Sequence, residues 1–445
     1  MHLLAAVPPP LPAHTLLVFL TQLAVLLLLA VALGRLAQRL GMPAVVGELL
    51  TGLFIGPSVL GNLAPGVFGW LLPASPVQMS LLDGVAQFGV LLLVGVTGMH
   101  LDVGTLRRHR GTAVRISLAG LLLPLALGVL LGVVLARTIV RTDTDTGVFA
   151  LFLGVAMCVS AIPVISKTLS DMNLLHRNVG QLTLAAGMVD DAIGWFLLSL
   201  VSAAATVGVT TGSVLLSLLS LVGLTLFGIL AGGPVVRRVM RLGATGDHPG
   251  PTVSAAVLIV LIGAVAAHAL HLEAVFGAFG AGVLIGTARR SDLARLAPLR
   301  TVVLAVLAPL FLATAGLRMD LSALADPSIA LTAVSVLLVA ISGKFAGAYL
   351  GARLSRLSSW EGLAIGAGMN ARGVIEVIVA MTGLRLGVID TAMFTVIVLV
   401  AVVTSVMAPP LLRIACARID YSEEEREREA EHRMLTRYAP VSADS

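Results

Sequence analysis

Residues 185–195 read Ala-Ala-Gly-Met-Val-Asp-Asp-Ala-Ile-Gly-Trp and set two adjacent carboxylates, Asp190 and Asp191, in the middle of a long apolar segment. A charged side chain inside a lipid bilayer is costly, so it is kept only with a partner or for a function. Adjacent residues on a helix point in directions about 100° apart, so the two carboxylates need different neighbours. We expect one of them to hold a counter-charge and the other to face a cavity.

The apolar context of this pair extends over the whole chain. Of 445 residues, 58% are hydrophobic and 12% are charged, and the mean hydropathy is +1.01. Soluble domains carry roughly 25% charged residues, so this chain has too few charges to cover a water-facing surface. The composition excludes a soluble enzyme and most nucleic-acid binders, and it predicts an all-α membrane protein whose surface mostly faces lipid.

A window of about 20 residues, the length of helix that crosses a bilayer, finds thirteen candidate membrane spans. Their approximate limits are 15–34, 43–60, 81–99, 113–136, 147–169, 180–207, 213–231, 252–270, 273–287, 300–317, 328–350, 361–383 and 391–413. Seventeen Lys and Arg residues lie in odd-numbered loops and four in even-numbered loops. Because cytoplasmic loops are enriched in these residues, we expect the N-terminus outside and the C-terminus in the cytoplasm, in a bacterial inner membrane.

Charged residues near the ends of these spans can reach water, so the candidates for chemistry inside the bilayer are Glu48, Asp190, Asp191, Lys344, Arg372 and Glu376. Lys344 is the expected counter-charge of the Asp pair. Gly343, Gly347 and Gly351 repeat at every fourth position around it, which leaves a flat helix face that another helix can approach closely. The alternatives are structural: a buried packing salt bridge for the Asp pair, simple neutralisation of an aspartate by Lys344, and packing or snorkelling for Glu48.

Two spans contain residues that interrupt a helix. In the fifth span, Pro163 lacks a backbone N–H and its ring clashes with the preceding turn. In the twelfth span, Asn370 and Gly373 stand among further glycines and charges. Backbone groups that are freed at this depth must line a cavity or be covered by protein, so we predict that both helices are discontinuous. A single kinked helix could equally be structural.

The two interrupted spans are the fifth and the twelfth, which are seven spans apart. Because seven is an odd number, they cross the membrane in opposite directions. This separation indicates an inverted-topology repeat, in which spans 1–6 match spans 8–13 and span 7 links them. Crossed half-helices beside two aspartates form a cation site, because helix C-termini and bare carbonyls supply oxygen and carboxylates supply charge. Arg372 and Glu376 are expected to neutralise the half-helix ends, with a purely structural role as the alternative.

Five stretches between about residues 15 and 414 form an ordered set. They are Val159-Ser-Ala-Ile-Pro-Val164, Val189-Asp-Asp191, Val275-Phe-Gly-Ala-Phe279, Pro309-Leu-Phe311 with Gly316-Leu317, and Met369-Asn-Ala-Arg-Gly373 with Glu376. Together they resemble the monovalent cation:proton antiporter-2 family of sodium(potassium)/proton exchangers, and in particular its plant-type cation/proton exchanger branch. Each motif alone is unspecific, and their order and spacing carry the resemblance.

The resemblance implies a role for each matching residue. Asp191 matches the carboxylate that binds cation and proton alternately, and Asp190 matches a position occupied by Asn or Asp. Lys344 matches the membrane lysine that pairs with Asp, and Ser160 holds the Thr or Ser position of the unwound helix. An Asp pair implies electrogenic exchange, whereas the plant-type branch usually has Asn at the first position, so these two hints disagree.

The resulting hypothesis is a secondary active antiporter that exchanges Na⁺ or K⁺ for protons, with no cofactor, no nucleic-acid partner and no enzymatic reaction. Desolvation and a neighbouring ammonium group change the proton affinity of a carboxylate in opposite directions. Asp191 can therefore titrate near working pH and bind either a proton or the metal ion, Na⁺ or K⁺. Three alternatives stay open: an ion-coupled symporter of a small organic solute, an intramembrane aspartyl protease, and a transport-inactive ion sensor.

The resemblance also implies a division of the chain. Residues 1–414 form the membrane domain, with spans 4–6 and 11–13 as an ion-transport core that moves in an elevator-like manner. Spans 1–3 and 8–10 form a dimerisation scaffold and span 7 a linker, so a homodimer in the lipid bilayer is expected. Residues 415–445 are a short charged cytoplasmic tail, whose run of acids and bases predicts a solvated helix.

Overall fold

The computed structural model describes residues 11–73, 75–99, 103–138, 145–207, 211–244, 248–287 and 295–426, and within these ranges the chain is helical without β-strands. The first helices are α1 (Ala13–Arg39), α2 (Ala44–Ile55), α3 (Leu60–Leu63), α4 (Pro65–Leu71), α5 (Pro76–Met99), α6 (Val103–Thr138), α7 (Thr146–Cys158), α8 (Ile162–Asp171), α9 (Asn178–Val207), α10 (Thr211–Phe227) and α11 (Gly233–Gly243). They are followed by α12 (Gly250–Ala269), α13 (Ala274–Gly286), α14 (Ala297–Val302), α15 (Ala308–Gly316), α16 (Pro327–Leu354), α17 (Ser359–Met369), α18 (Val374–Arg385) and α19 (Thr391–Cys416). Short π-helical turns join α10 to α11 and α14 to α15.

Each of the thirteen predicted spans coincides with a helix or with helices that continue one another in the described part of the chain. Ten helical segments there are long and apolar enough to cross a membrane. Helices α17 and α18 pass the same test together but are bent by 45°, and α7 and α13 are shorter apolar helices. The predicted all-α membrane architecture is therefore confirmed, with ten or eleven full-length spans by length and composition.

Polar side chains at helix starts explain where several helices begin. Asp326 accepts a hydrogen bond from the backbone N–H of Ser328 at 2.7 Å, and Pro327 occupies the first position of α16, where no N–H is needed. Ser358 and Glu361 form a reciprocal capping box at the start of α17. These caps satisfy backbone donors that the apolar helices themselves cannot satisfy.

The turns that end α1 and α12 support the predicted inverted repeat. The turn after α1 contains Gly41 with a φ of 76°, and the turn after α12 contains His271 with a φ of 57°. In both turns the N–H of the next residue donates to a carbonyl oxygen five residues earlier, at 2.9 Å. A left-handed residue with this bond is a Schellman helix ending. The same turn thus follows the first and the eighth span, which is the spacing that the repeat requires.

Glycines let α6 and α16 pack at backbone contact. A Cβ atom on Gly347 would overlap the backbone oxygen of Ala119, and one on Gly351 would lie 2.6 Å from the Cα of Ile116. The flat glycine face that was predicted around Lys344 is therefore the surface that contacts α6.

The helices pack mainly in two groups. One group contains α6, α7, α8, α9, α16, α17, α18 and α19, and the other contains α1, α2, α5, α12, α13 and α15. The two groups meet where α9 touches α13, α18 touches α15 and α19 touches α2. Helices α10 and α11 connect them, because α10 packs on α9 and α11 packs on α12.

The chain after α19 folds back onto the loop between α8 and α9. Arg177 in this loop donates to the carbonyl oxygen of Ile419 at 2.9 Å and to Oε1 of Glu425 at 3.2 Å. The same carboxylate oxygen accepts the backbone N–H of Asn178 at 2.6 Å and so caps the start of α9. Of the run that was predicted to be solvated, Glu425 is buried whereas Glu423, Glu424 and Arg426 are exposed; residues 427–445 lie outside the described residues.

Candidate functional site

The two predicted helix breaks meet inside the molecule. The fifth span is interrupted between Cys158, where α7 ends, and Ile162, where α8 begins, and the twelfth is interrupted between α17 and α18. The backbone N–H of Ala161 in the first break donates to the carbonyl oxygen of Ala371 in the second, at 3.3 Å. The unwound segments therefore cross and hydrogen-bond to each other, as expected for backbone that has left a helix at membrane depth.

Glycine and proline have different positions at the two breaks. Gly373 has a φ of 155°, and a Cβ atom at this position would lie 2.6 Å from Cγ2 of Val164. Only glycine fits this conformation without strain. Pro163, which was predicted to break the fifth span, is the second residue of α8. Its missing N–H is tolerated there because the first turn of a helix has no internal acceptor for it.

Asp190 is held by polar groups from three other helices or breaks. Ser117 of α6 donates its hydroxyl to Oδ1 at 2.6 Å, and the hydroxyl of Ser160 lies 2.9 Å from Oδ2. Lys344 of α16 donates to the same Oδ2 and to the carbonyl oxygen of Cys158, the latter at 2.6 Å. Asp190 and Lys344 are fully buried and form an ion pair. The counter-charge of the first aspartate is therefore Lys344.

Ser160 has two acceptors for one proton. Its hydroxyl lies 2.8 Å from the carbonyl oxygen of Met369 as well as within hydrogen-bond distance of Asp190. A serine hydroxyl donates one hydrogen bond, so it serves one acceptor at a time. Ser160 thus links the first break, the second break and the charged pair.

Asp191 has a different environment from its neighbour. It is fully buried, and neither of its carboxylate oxygens has a hydrogen-bond partner among the described residues. The backbone N–H of Ile162, at the start of α8, lies near it. A helix N-terminus favours negative charge, so this carboxylate is placed where an anion is stabilised but not neutralised. Asn370, in the second break, is also buried and has no partner for either side-chain polar atom in the described part of the chain.

The side chain of Arg372, from the second break, lies against the C-terminal end of α7. Its guanidinium donates to the carbonyl oxygens of Ala156 and Met157 in α7, to that of Ala340 at 3.0 Å, and to Oε1 of Glu376 at 3.0 Å. The last carbonyls of a helix lack partners within the helix and carry partial negative charge. Arg372 therefore stabilises the end of α7, and Glu376 balances the charge of Arg372.

Some polar residues near the site were missed from the sequence. Ser117 of α6 has the apolar neighbours Ile116 and Leu118 and donates to Asp190, and Ser405 of α19 donates to the carbonyl oxygen of Arg372. A hydroxyl in a membrane helix usually bonds to its own backbone, so neither serine gives a distinctive signal. Glu48 lies apart from this site, against Gly34 of α1.

The chemistry of the site is that of oxygen ligands. In the parts of the chain that the structure describes, no three His, Cys, Asp or Glu side chains come together as a metal cluster. The available donors are the carboxylate of Asp191, the side-chain oxygen of Asn370, the hydroxyl of Ser160 and the carbonyls of the two breaks. Such donors suit a hydrated alkali cation or a proton rather than a tightly held transition metal.

Comparisons with known proteins match almost the whole chain. A family model described as sodium/hydrogen exchanger, transmembrane, matches residues 24–417. The chain is 28% identical over 401 residues to the Na(+)/H(+) antiporter NhaS4 of Synechocystis sp., a match that covers 90% of this chain and 97% of that protein. It is 29% identical over 400 residues to Cation/H(+) antiporter 17 of Arabidopsis thaliana, covering 90% of this chain and 48% of the relative. The chain thus spans about half the length of this plant relative.

A solved structure shares the fold. The sodium proton antiporter MjNhaP1 from Methanocaldococcus jannaschii superimposes with a TM-score of 0.63, over 91% of this chain and 97% of that protein. The two sequences are 17% identical, so this likeness concerns the arrangement of helices.

Proposed function

The chain belongs to the sodium/hydrogen exchanger family, and from this premise we propose that it exchanges a monovalent cation, Na⁺ or K⁺, for protons across a membrane. The family consists of transporters and not of enzymes, and the chain is an integral membrane protein. The resemblance found in the sequence motifs is confirmed by the family match and by the cation/proton antiporters among the relatives.

The observation that carries the proposal is the different pairing of the two adjacent aspartates. Asp190 is neutralised by Lys344, whereas Asp191 has no partner among the described residues. A buried, unpaired carboxylate is stable only when a proton or a cation neutralises it. Because both ligands use the same two oxygens, binding of one excludes the other. This exclusion is the physical requirement for obligate exchange.

We propose that Asp191 forms the centre of the cation site and that oxygen atoms of the crossed breaks complete it. Ser160 and Asn370 lie in these breaks, and half-helix ends surround them. Unwound carbonyls and helix C-termini coordinate cations in transporters of this plan. Carboxylate, amide, hydroxyl and carbonyl oxygens accept either Na⁺ or K⁺.

We also propose that the exchange moves net charge. When they are ionised, Asp190, Asp191 and Lys344 together carry one net negative charge, which one bound cation neutralises. On the return step, one proton binds Asp191 and a second binds Asp190, whose ion pair with Lys344 then opens, so two protons replace the cation. The cycle then transfers one net positive charge, so the exchange rate should depend on the membrane potential.

The packing of the helices supports a division into a moving core and a scaffold. All residues of the proposed site belong to the group of α6–α9 and α16–α19, which contains spans 4–6 and 11–13. Spans 1–3 and 8–10 form the other group, and only a few pairs of helices are in contact between the two groups. We propose that the first group moves past the second in an elevator-like manner and that the second forms a homodimer interface.

The distribution of basic residues supports the proposed orientation, with the N-terminus outside and the C-terminus in the cytoplasm of a bacterial cell. The described helices follow the order of the predicted spans, and we use the side that the charge count assigns to each loop. Arg177 and the segment that binds it then lie on the cytoplasmic side, and Glu273 and Arg385 lie outside.

The direct test is ion exchange in reconstituted vesicles. The purified protein is inserted into liposomes that contain a pH-sensitive dye, and the internal pH is followed after external addition of Na⁺, K⁺ or Li⁺. We expect a cation-driven pH change for the wild type and its loss for Asp191→Ala. A potassium diffusion potential applied with valinomycin in a Na⁺-driven assay should change the rate if exchange is electrogenic.

Asp83→Asn is the matched control, because Asp83 pairs with Arg318 away from the crossed breaks. This variant should keep the cation-driven pH change. A pH change that persists in Asp191→Ala would overturn the site, and the absence of any cation-driven pH change in the wild type would overturn the exchange activity itself.

A further inference from the structure

A stripe of buried polar residues extends along α9 from the proposed ion site toward the outside. Trp195, Ser199 and Ser202 follow Asp191 at intervals of four, four and three residues, so all four lie on one face of the helix. Trp195, Ser199 and Ser202 are at most 3% exposed. The indole Nε1 of Trp195 and the hydroxyl of Ser199 have no hydrogen-bond partner among the described residues. Buried polar groups without partners favour water or an ion beside them, so this face has the character of an ion path.

The outer end of this stripe is closed by an ion pair. Arg385, the last residue of α18, donates through Nη2 to both carboxylate oxygens of Glu273, at 3.0 and 2.8 Å. Ser202 donates its hydroxyl to Oε1 of the same carboxylate at 3.1 Å. The side chain of Glu273 is 8% exposed and that of Arg385 is 47% exposed. The guanidinium is therefore the member of the pair that can turn into water.

An aromatic contact lies deeper in the same interface. The rings of Trp195 in α9 and Phe279 in α13 have centroids 6.2 Å apart, at an angle of 42°. Ser199 lies on α9 between this aromatic contact and the ion pair. The outer part of the stripe thus has the ion pair of Glu273 and Arg385 at its end and the contact of Trp195 with Phe279 deeper inside. Between them lies the hydroxyl of Ser199, which has no hydrogen-bond partner among the described residues.

The ion pair joins the two groups of helices. Glu273 precedes α13, which packs mainly on α5 and α12, whereas Ser202 and Arg385 belong to α9 and α18 of the group that carries Asp191. Any movement of one group along the other separates these residues. By contrast, the outer ion pair of Arg318 and Asp83 joins α5 to the turn that follows α15, and both of these helices belong to the same group.

At the matching position on the other side of the membrane, the described residues form no equivalent ion pair. Glu273 lies two residues after His271, the left-handed residue of the turn after α12, and Pro43 lies two residues after Gly41 in the matching turn after α1. Proline carries no charge, so the cytoplasmic counterpart of Glu273 cannot hold a cationic partner. The charged closure is therefore one-sided.

We propose that Glu273 and Arg385 form a gate that closes the outer end of an ion path along α9, and that ions reach Asp191 from outside only after this pair separates. The inference rests on the proposed exchange function and on the orientation given above. Ser202 positions the Glu273 carboxylate, and the path opens when the Arg385 guanidinium moves away from that carboxylate.

The test measures access from outside without measuring transport. Ser199→Cys is introduced into otherwise wild-type protein and into Arg385→Gln and Glu273→Gln variants, and intact cells are treated with a membrane-impermeant maleimide. The native Cys158 is buried and Cys416 is placed on the cytoplasmic side, so neither competes. We expect labelling of Ser199→Cys to be roughly fivefold to tenfold faster in both gate variants, because loss of the pair shifts the population toward the open state.

Matched controls make each result decisive. Arg318→Gln removes an outer arginine that does not join the two groups and should leave the labelling rate unchanged. Leu270→Cys, at an exposed outer position, should label in every background and thus proves access of the reagent. The charge-reversed pair, Glu273→Arg with Arg385→Glu, should restore slow labelling.

The outcomes separate the gate from the exchange activity. Unchanged labelling of Ser199→Cys in both gate variants, while Leu270→Cys labels, overturns the gate even if vesicles exchange ions normally. Accelerated labelling supports the gate even if the vesicle assay shows no exchange, in which case it is the proposed function that fails.

Discussion

Lys344 donates hydrogen bonds to Asp190 and to the carbonyl oxygen of Cys158 but none to the adjacent Asp191, although Lys344 and both aspartates are fully buried. Ser117 also donates to Asp190, so this carboxylate is fixed by partners from two other helices. Asp191, which points in a different direction from α9, is left without a partner among the described residues. Chemically identical side chains next to each other in the chain therefore have opposite expected effects when they are substituted.

Asp190→Asn should destabilise the protein. The substitution leaves the Lys344 ammonium buried without its counter-charge, and breaking a buried ion pair by removing one partner costs about 3–5 kcal/mol. We expect a clear drop in the thermal unfolding temperature in detergent. Adding Lys344→Gln to the same chain should recover most of the loss, because a neutral pair replaces an isolated charge. A double variant that is less stable than Asp190→Asn would contradict the assigned pairing.

Asp191→Asn should abolish ion exchange without destabilising the protein, in contrast to the destabilisation expected for Asp190→Asn. Its carboxylate has no ion-pair or side-chain hydrogen-bond partner among the described residues, and the neutral amide avoids the desolvation cost of an unpaired charge. We expect an unfolding temperature equal to or above that of the wild type, together with loss of cation-driven pH change in vesicles. Gain of stability on loss of function is common at sites where a functional group is held in an unfavourable environment. A destabilisation as large as that of Asp190→Asn would show that Asp191 has a structural partner.

Gly373→Ala should disturb the crossing of the two breaks. Its φ of 155° is strained for any residue with a Cβ, and that atom would lie 2.6 Å from Cγ2 of Val164. The expected cost is about 1–3 kcal/mol of unfolding free energy, with slower exchange in vesicles. Gly280→Ala is the matched control, because a Cβ at this position in α13 meets no atom within 4 Å. Equal effects of the two substitutions would contradict the strain argument.

The contact between the tail and α9 should depend on pH. Burial raises the pKa of Glu425, but hydrogen bonds from the backbone N–H groups of Ser422 and Asn178 and the charge of Arg177 outweigh it, so the pKa lies below its ordinary value. A group with a lowered pKa stabilises the folded contact above its ordinary pKa and loses that effect as pH falls through the lowered one. We expect the tail to stay bound at neutral pH and to be released below about pH 4.

Hydrogen exchange of the Asn178 amide measures this release, because that N–H donates to Glu425. Glu425→Gln should raise the exchange rate at neutral pH and remove its acid dependence. Glu423→Gln, an exposed neighbour in the same acidic run, should behave as the wild type. An acid-dependent exchange rate that is the same in Glu425→Gln would assign the effect to another group.

The class of protein, the helical spans and the two helix breaks follow from the amino-acid sequence alone. Hydropathy and segment length are local properties, and the lipid bilayer makes them decisive because every backbone group within it must be satisfied internally. Gly373 and Pro163 act through their own backbone, so their effect on a helix can also be read locally. The seven-span separation of the breaks was enough to predict the inverted repeat.

Which side chains contact each other depends on how the helices pack in three dimensions. The pairing of Lys344 with Asp190 depends on the rotation of α16 and α9 about their axes, and a change of one residue in helical phase turns a side chain by about 100°. The contact of Glu273 with Arg385 joins residues 112 positions apart, and that of Arg177 with Glu425 joins residues 248 apart. Hydropathy predicts how deep in the membrane such residues lie, whereas the packing of the helices determines which residues they contact.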